Sequence, residues 1–208
     1  MDDVVAITLF RHGLTEENKR KSYLGWNDSP LSKEAIKTLT SYKFSGCGYD
    51  LLVSSDLQRC LYTIGLLFSK EKPMVLSEFR EMNFGMFQGK SYKELRDVEE
   101  YQQWIDNMYS YTPPEGESFE QFTKRVERGW NILAEIILQK GARKPFVVTH
   151  GGVIRYLLSK FSPDNKEFWE WSIPEATGYE LIFHTNQLRR EEHCISLQAV
   201  PSMANENG

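Results

Sequence analysis

Apolar and polar positions follow two different rhythms along the chain, and the switches between them predict alternating strands and helices. Val4 to Phe10 is a short β-rich apolar run that stops at Arg11-His12-Gly13. So brief and continuous a run predicts a strand buried on both faces of a parallel sheet. A polar stretch reaches Pro30, and Ser32 then opens a helical pattern with Ile36 and Leu39 on one face. Asp50 to Ser54 predicts a second strand. It feeds a helix that keeps Leu57, Cys60, Leu61, Ile64, Leu67 and Phe68 on one side, the spacing of a core-facing stripe. Met74 to Leu76 predicts a third strand.

Further along, Ser91-x-x-Glu94 reads as a capping box opening a helix to about Tyr109, and Ser118-x-x-Gln121 as another, opening a helix to about Gln139. Phe146 to Thr149 predicts a fourth strand, followed at once by Gly151-Gly152 and a helix carrying Val153, Ile154, Tyr156, Leu157 and Leu158. Tyr179 to His184 and Cys194 to Gln198 predict closing, antiparallel strands. The fold class expected is α/β, with a three-layer build: a mostly parallel central sheet and helices on both faces. One domain is expected over residues 1–201, with a frayed polar tail over 202–208.

Composition narrows the function classes. The 208 residues are 40% hydrophobic and 26% charged, which is foldable and globular. A net charge of −4, from 25 basic and 29 acidic residues, gives no general reason to bind nucleic acid or a membrane surface. Any affinity for phosphate must then come from a few placed arginines. Cys47, Cys60 and Cys194 are an odd number with no C-x-x-C pair, which fits free thiols in a reducing, cytoplasmic setting. No apolar run approaches the ~20 residues of a membrane span.

The candidate chemistry lies in two segments of the same grammar, LFRHG at 9–13 and VVTHGG at 147–152. Each is an apolar strand ending in His-Gly. Ligands of open parallel sheets bind at the carboxyl ends of the strands, beside helix N-termini, so His12 and His150 are expected on one sheet edge. Either histidine alone reads equally well as a structural residue; the matched pair favours function. Arg11 precedes His12, and Arg59 falls in the first turn of the helix after VSSD. Guanidinium groups bind two phosphate oxygens at once, so the four residues together predict a phosphate pocket. A neutral imidazole, with a pKa of about 6.5, can attack phosphorus and carry the phosphoryl group, while Arg11, Arg59 and a protonated His150 would stabilise the equatorial charge. The leaving alcohol needs a proton. Glu78 and Glu81 in EFREMNFG are candidates, and spacing alone leaves either as a solvated loop charge.

RHGLTEEN (11–18), YLGWNDSPLS (23–32), VSSDLQRC (53–60), EFREMNFGMFQG (78–89), PEGES (114–118) and VVTHGGVIR (147–155) together resemble the histidine phosphatase superfamily, which includes the cofactor-dependent phosphoglycerate mutases. The resemblance runs from Ile7 to about Leu181. It implies that His12 is the nucleophile, that Arg11, Arg59 and His150 form the phosphate pocket, and that Glu81, not Glu78, is the proton donor. Asn18 and the Gly151 amide match secondary phosphate contacts. Three departures stand out. Leu14 occupies a position where an acid commonly follows RHG, which would alter the pocket rim, and Cys60 and Ile64 replace smaller residues in what looks like core packing.

Within that resemblance the activity expected is metal-independent hydrolysis of a small phosphomonoester through phosphohistidine, with no cofactor. The interval Lys90 to Tyr111 is short, acidic and aromatic, where similar mutases carry a longer basic segment. The YLGWNDSPLS stretch is most similar to broad-specificity and α-ribazole-5′-phosphate phosphatases, making Tyr23, Leu24, Gly25 and Trp26 a candidate substrate rim. Tyr23, Trp26, Phe87 and Trp104 offer an apolar wall, though core and rim packing accounts for them more simply. The pair Trp169 and Trp171 also reads as packing. A cofactor-dependent phosphoglycerate mutase is the alternative, and a non-catalytic phosphate-binding module is the alternative of another class. Other phosphate chemistries fit poorly. The glycines of Gly85-Met-Phe-Gln-Gly89-Lys90-Ser91 are one residue too close for a P-loop. No cysteine heads a C-x5-R motif, and no D-x-D start or paired Asp/His metal cluster is present.

Overall fold

The computed structural model describes residues 4–44 and 47–201. The elements run β1 (Val4–Arg11), α1 (Glu16–Lys19), α2 (Lys33–Ser41), β2 (Leu51–Ser54), α3 (Gln58–Leu67), β3 (Met74–Val75), α4 (Tyr92–Leu95), α5 (Glu99–Asp106), α6 (Phe119–Lys140), β4 (Pro145–Thr149), α7 (Gly151–Phe161), β5 (Gly178–His184), α8 (Thr185–Arg190) and β6 (Ser196–Val200). One sheet has the order β3-β2-β4-β1-β5-β6. Pairs β2·β3, β2·β4 and β1·β4 are parallel; β1·β5 and β5·β6 are antiparallel. This is the expected α/β architecture.

The strands alternate their side chains between two apolar layers. Leu9, Val53 and Val147 face Val126, Trp130 and Leu133 of α6 and Ile154 and Leu157 of α7. Their neighbours Phe10, Leu52, Phe146 and Val148 face Leu39 of α2 and Cys60, Ile64 and Leu67 of α3. Because both faces of β1 and β4 are covered, Leu9 and Phe10 of β1 and Phe146, Val147 and Val148 of β4 are apolar at consecutive positions. Helix α6 is long because Ser118 and Gln121 close a capping box at its start and Gly141, at φ +65°, ends it in the left-handed region.

Three expectations need correction. The helix opened by Ser91 stops at Leu95, and a separate α5 begins at Glu99. Leu95, Tyr101 and Trp104 all enter one small aromatic cluster with Phe87. In an unbroken helix Leu95 and Trp104 would sit on opposite faces, so the turn at 96–98 lets both be buried. In α2 the apolar face is Ala35 and Leu39, while Ile36 is 42% exposed. The final strand lies two residues later than Cys194–Gln198; Cys194 is instead buried, with its amide donating to Phe161 O. The tail from Ser202 lies outside the described residues.

Candidate active site

Strand register builds half of the site. In the parallel pair β1·β4, Arg11 lies opposite Thr149, so His12 and His150, one residue further on, leave the sheet edge side by side. Their rings lie edge to face with centroids 5.2 Å apart. Ser54 pairs with Val148 on the other flank of β4, bringing Ser55 and α3 to the same edge.

His12 is almost fully buried, and its Nδ1 lies 2.8 Å from Gly13 O. A carbonyl can only accept, so Nδ1 carries the proton and Nε2 keeps its lone pair. Arg59 Nε donates to that Nε2 at 3.3 Å. Burial first, then the charges of Arg59 and Arg11, hold the His12 pKa well below the usual histidine value. At neutral pH the ring is neutral, with its lone pair beside two cations.

Arg59 is buried, and its aim is fixed by donation to Gly25 O (2.6 Å) and Asn27 O (2.8 Å). The YLGWND segment therefore orients a guanidinium. Arg11 donates to Ile173 O (2.6 Å) and pairs with Glu175 at 2.9 Å. Gly13 N donates to Thr63 Oγ1, whose hydroxyl donates to Arg59 O, tying the β1 turn to α3.

His150 has no exposed surface. Its Nε2 lies 3.0 Å from Ser55 Oγ and 3.4 Å from Cys60 Sγ. Burial, then Arg59, His12 and Arg11, push its pKa well below 6.5. The protein alone therefore keeps His150 neutral, and the protonated form expected to stabilise transition-state charge would need an added anion to favour it. Cys60 is more than core packing, since its sulfur rests against this ring, and burial pushes its thiol pKa far up. Leu14 does not line the cavity; Ile64 sits in the core as expected.

Arg11, His12, Asn18, Arg59 and Glu81 share the wall of a cavity of about 240 Å³. Glu81 accepts from Gly152 N on Oε2 (3.1 Å) and from Met82 N on Oε1 (3.0 Å). A β-carbon at residue 152 would collide with Oε1, so glycine is required there for the carboxylate to approach helix α7. Glu78 does not line the cavity. Gly151 is buried behind it, against the Arg11 side chain.

The rest of the cavity is largely apolar: Phe84, Trp104, Met108, Phe119, Phe122 and Phe168, with Trp169 and Arg155 beside them. Of the expected rim, Tyr23, Leu24 and Gly25 line the cavity and Trp26 does not. The guanidinium groups of Arg80 and Arg125 both lie over the Trp26 ring, and Trp26 Nε1 donates to Glu81 O at 2.8 Å. Trp169 is a wall residue and not simple packing, whereas Trp171 is buried. Arg125 escaped the sequence reading. The signal was its place eight residues after Glu117 of PEGES, at the start of an otherwise ordinary helix.

A lone-pair imidazole, two fixed arginines and a carboxylate line one cavity, and the second imidazole, His150, lies buried against the His12 ring and outside that lining; this set of groups suits phosphoryl transfer. The profile of the histidine phosphatase superfamily (branch 1) matches residues 7–195. The chain belongs to that superfamily and is an enzyme of the histidine phosphatase type. It is 30% identical over 158 residues to adenosylcobalamin/α-ribazole phosphatase of Escherichia coli K12, covering 73% of this chain and 76% of the relative. It is also 30% identical over 175 residues to a 2,3-bisphosphoglycerate-dependent phosphoglycerate mutase of Cytophaga hutchinsonii, covering 76% of this chain and 79% of the relative. The crystal structure of a putative α-ribazole-5′-P phosphatase from E. coli superposes with a TM-score of 0.73 at 23% identity, over 86% and 90% of the two chains, which speaks to the fold alone. Among the described residues no helix is long and apolar enough to cross a membrane.

Proposed function

We propose that the protein hydrolyses small phosphomonoesters without a metal, through a phosphohistidine formed on His12. The observation that carries this reading is the placement of the two imidazoles 5.2 Å apart at the sheet edge, with the His12 lone pair beside Arg59. In the first step His12 Nε2 attacks phosphorus, the bond from phosphorus to the leaving oxygen breaks, and the Glu81 carboxyl gives that oxygen a proton. In the second step water attacks the phosphorus of the phosphohistidine, the bond from phosphorus to His12 Nε2 breaks with its electron pair returning to the ring, Glu81 takes the water's proton, and phosphate departs. Arg11, Arg59, His150, Asn18 and the Gly151 amide hold the phosphoryl oxygens, so the charge a metal would neutralise is met by guanidinium and imidazolium groups.

The finer substrate we propose is α-ribazole 5′-phosphate. The phosphatase relative supports it, and so does the aromatic wall, which suits a leaving group bearing a flat apolar base. Transfer to a phosphoglycerate is the second reading, drawn from the mutase relative. A small acceptor carrying both a carboxylate and a phosphate makes poor use of so apolar a chamber.

The test is an acid-quenched reaction with labelled phosphomonoester in excess chelator. Acid-labile phosphate on His12, with steady release of inorganic phosphate and no bisphosphoglycerate primer, is expected. Phosphate on another residue, or activity that returns only with a divalent ion, would sink the reading. Turnover of 3-phosphoglycerate only with primer would replace hydrolysis by transfer.

A further inference from the structure

Glu81 belongs to neither helix nor strand, yet it must hold a carboxyl on a leaving oxygen to within a fraction of an ångström. Its backbone shows how. The carbonyls of residues 78 to 81, four in succession, each accept a side-chain donor from another part of the chain. Arg125 Nη1 donates to Glu78 O (2.8 Å) and Arg80 O (2.9 Å), and Nη2 donates to Glu81 O (3.1 Å). Thr149 Oγ1 donates to Phe79 O (2.8 Å), and Trp26 Nε1 is the second donor to Glu81 O.

The remaining donors of Arg125 meet Glu117: Nε reaches Oε2 at 3.3 Å, and Nη2 reaches Oε1. Five N–H groups therefore meet five acceptors, which only a guanidinium can do. Both side chains are largely buried, at 12% and 14% exposure. Glu117 Oε1 also accepts from Asn83 N at 2.9 Å, and Glu117 N donates to Asn83 O at 3.0 Å. The pair thus grips the segment on both sides of Glu81, and Glu117 neutralises the charge brought so close to it.

We propose that Arg125, with Glu117 as its counter-ion, is a positioning residue for proton transfer at Glu81. It rests on the reading of Glu81 as the proton donor. A lysine offers one nitrogen and cannot span three carbonyls and a carboxylate. A shift of about 1 Å in a catalytic group costs on the order of 100-fold in rate, and the loss falls on esters whose leaving oxygen needs the proton. A role confined to folding would instead lower all activity in proportion to the folded fraction.

The experiment compares glycerol 2-phosphate with 4-nitrophenyl phosphate, whose leaving group departs without protonation, in R125M, E81Q and the double variant. R125M should lower kcat on glycerol 2-phosphate about 100-fold and on 4-nitrophenyl phosphate less than about 3-fold, leaving inhibition by inorganic phosphate unchanged. In the E81Q background R125M should add less than about 2-fold, because the two act on one step. R125K and E117Q, which keep part of the hydrogen bonding, should give the same pattern at smaller amplitude and serve if R125M does not fold. Equal losses on both esters, or an undiminished R125M effect in the E81Q background, would overturn the proposal. If E81Q itself treats the two esters alike, the acid assignment falls first and the clamp with it.

Discussion

The two halves of the site are held in place by different means. His12, His150 and Arg59 follow directly from β1, β4 and the start of α3, so their positions are set by strand register and helix geometry. Glu81 sits on an irregular segment whose carbonyls are held by Arg125, Thr149 and Trp26. Backbone pairing is cooperative and spread over many residues. A clamp of side chains concentrates the same task in three. The histidine half should therefore tolerate changes around it, and the Glu81 half should fail through single distant substitutions.

The largest effect tests the nucleophile itself. His12→Ala should reduce turnover by more than about 10⁴-fold on both alkyl and nitrophenyl esters, read by steady-state kinetics with the melting temperature as a check on folding. Residual activity within tenfold of the parent would move the nucleophile elsewhere. Gly152→Ala comes next: the added carbon occupies the place of Glu81 Oε1, so an alkyl ester should lose about 100-fold while a nitrophenyl ester loses far less. A uniform loss would mean that the substitution disturbs α7 and the phosphate pocket together.

A pH dependence of stability follows from the buried imidazoles. His12 and His150 have folded pKa values below their unfolded value of about 6.5. As pH falls through 6.5 the unfolded chain binds protons first, so stability is full above that pH and declines below it, by up to about 1.4 kcal/mol per pH unit for each histidine. Urea midpoints at pH 7.5 and 5.5 measure this, and His150→Asn should flatten the slope. The same logic predicts that inorganic phosphate binds with proton uptake, seen by calorimetry in buffers of different ionisation enthalpy. The smallest effect is Trp26→Phe. It removes one donor to Glu81 O while Arg125 keeps the other, for a loss of about 1 kcal/mol, or several-fold in rate, on alkyl esters.

The same division decides what could be read from the chain. His12 and His150 were legible because an apolar strand ending in His-Gly is a local pattern with a global consequence, the shared sheet edge. Arg59 was legible through its place at a helix start. Glu81 needed the resemblance of the whole REMNFG segment, since nothing in its spacing separates a proton donor from a solvated loop carboxylate. Arg125 had only its distance from PEGES to mark it, and the true place of Trp26 was not legible. An arginine on an amphipathic helix reads as surface charge, and its partners lie 44 to 47 residues away in an irregular segment. The break between α4 and α5 was hidden for a related reason: the capping box at Ser91 gives a start, and the stop depends on the cluster that Leu95 and Trp104 enter together.

Pairing of Arg11 with Thr149 also has an evolutionary side. Neighbouring strands in any sheet stand about 4.8 Å apart, so the gap between the two imidazoles is inherited from the architecture and is not tuned by the connections around it. Insertions, deletions and drift in the chamber formed by α5 and the segment around Phe168 can then change which alcohol is released while the bond-breaking apparatus stays in register. A lineage built on this frame can diversify its diet of esters without relearning the chemistry.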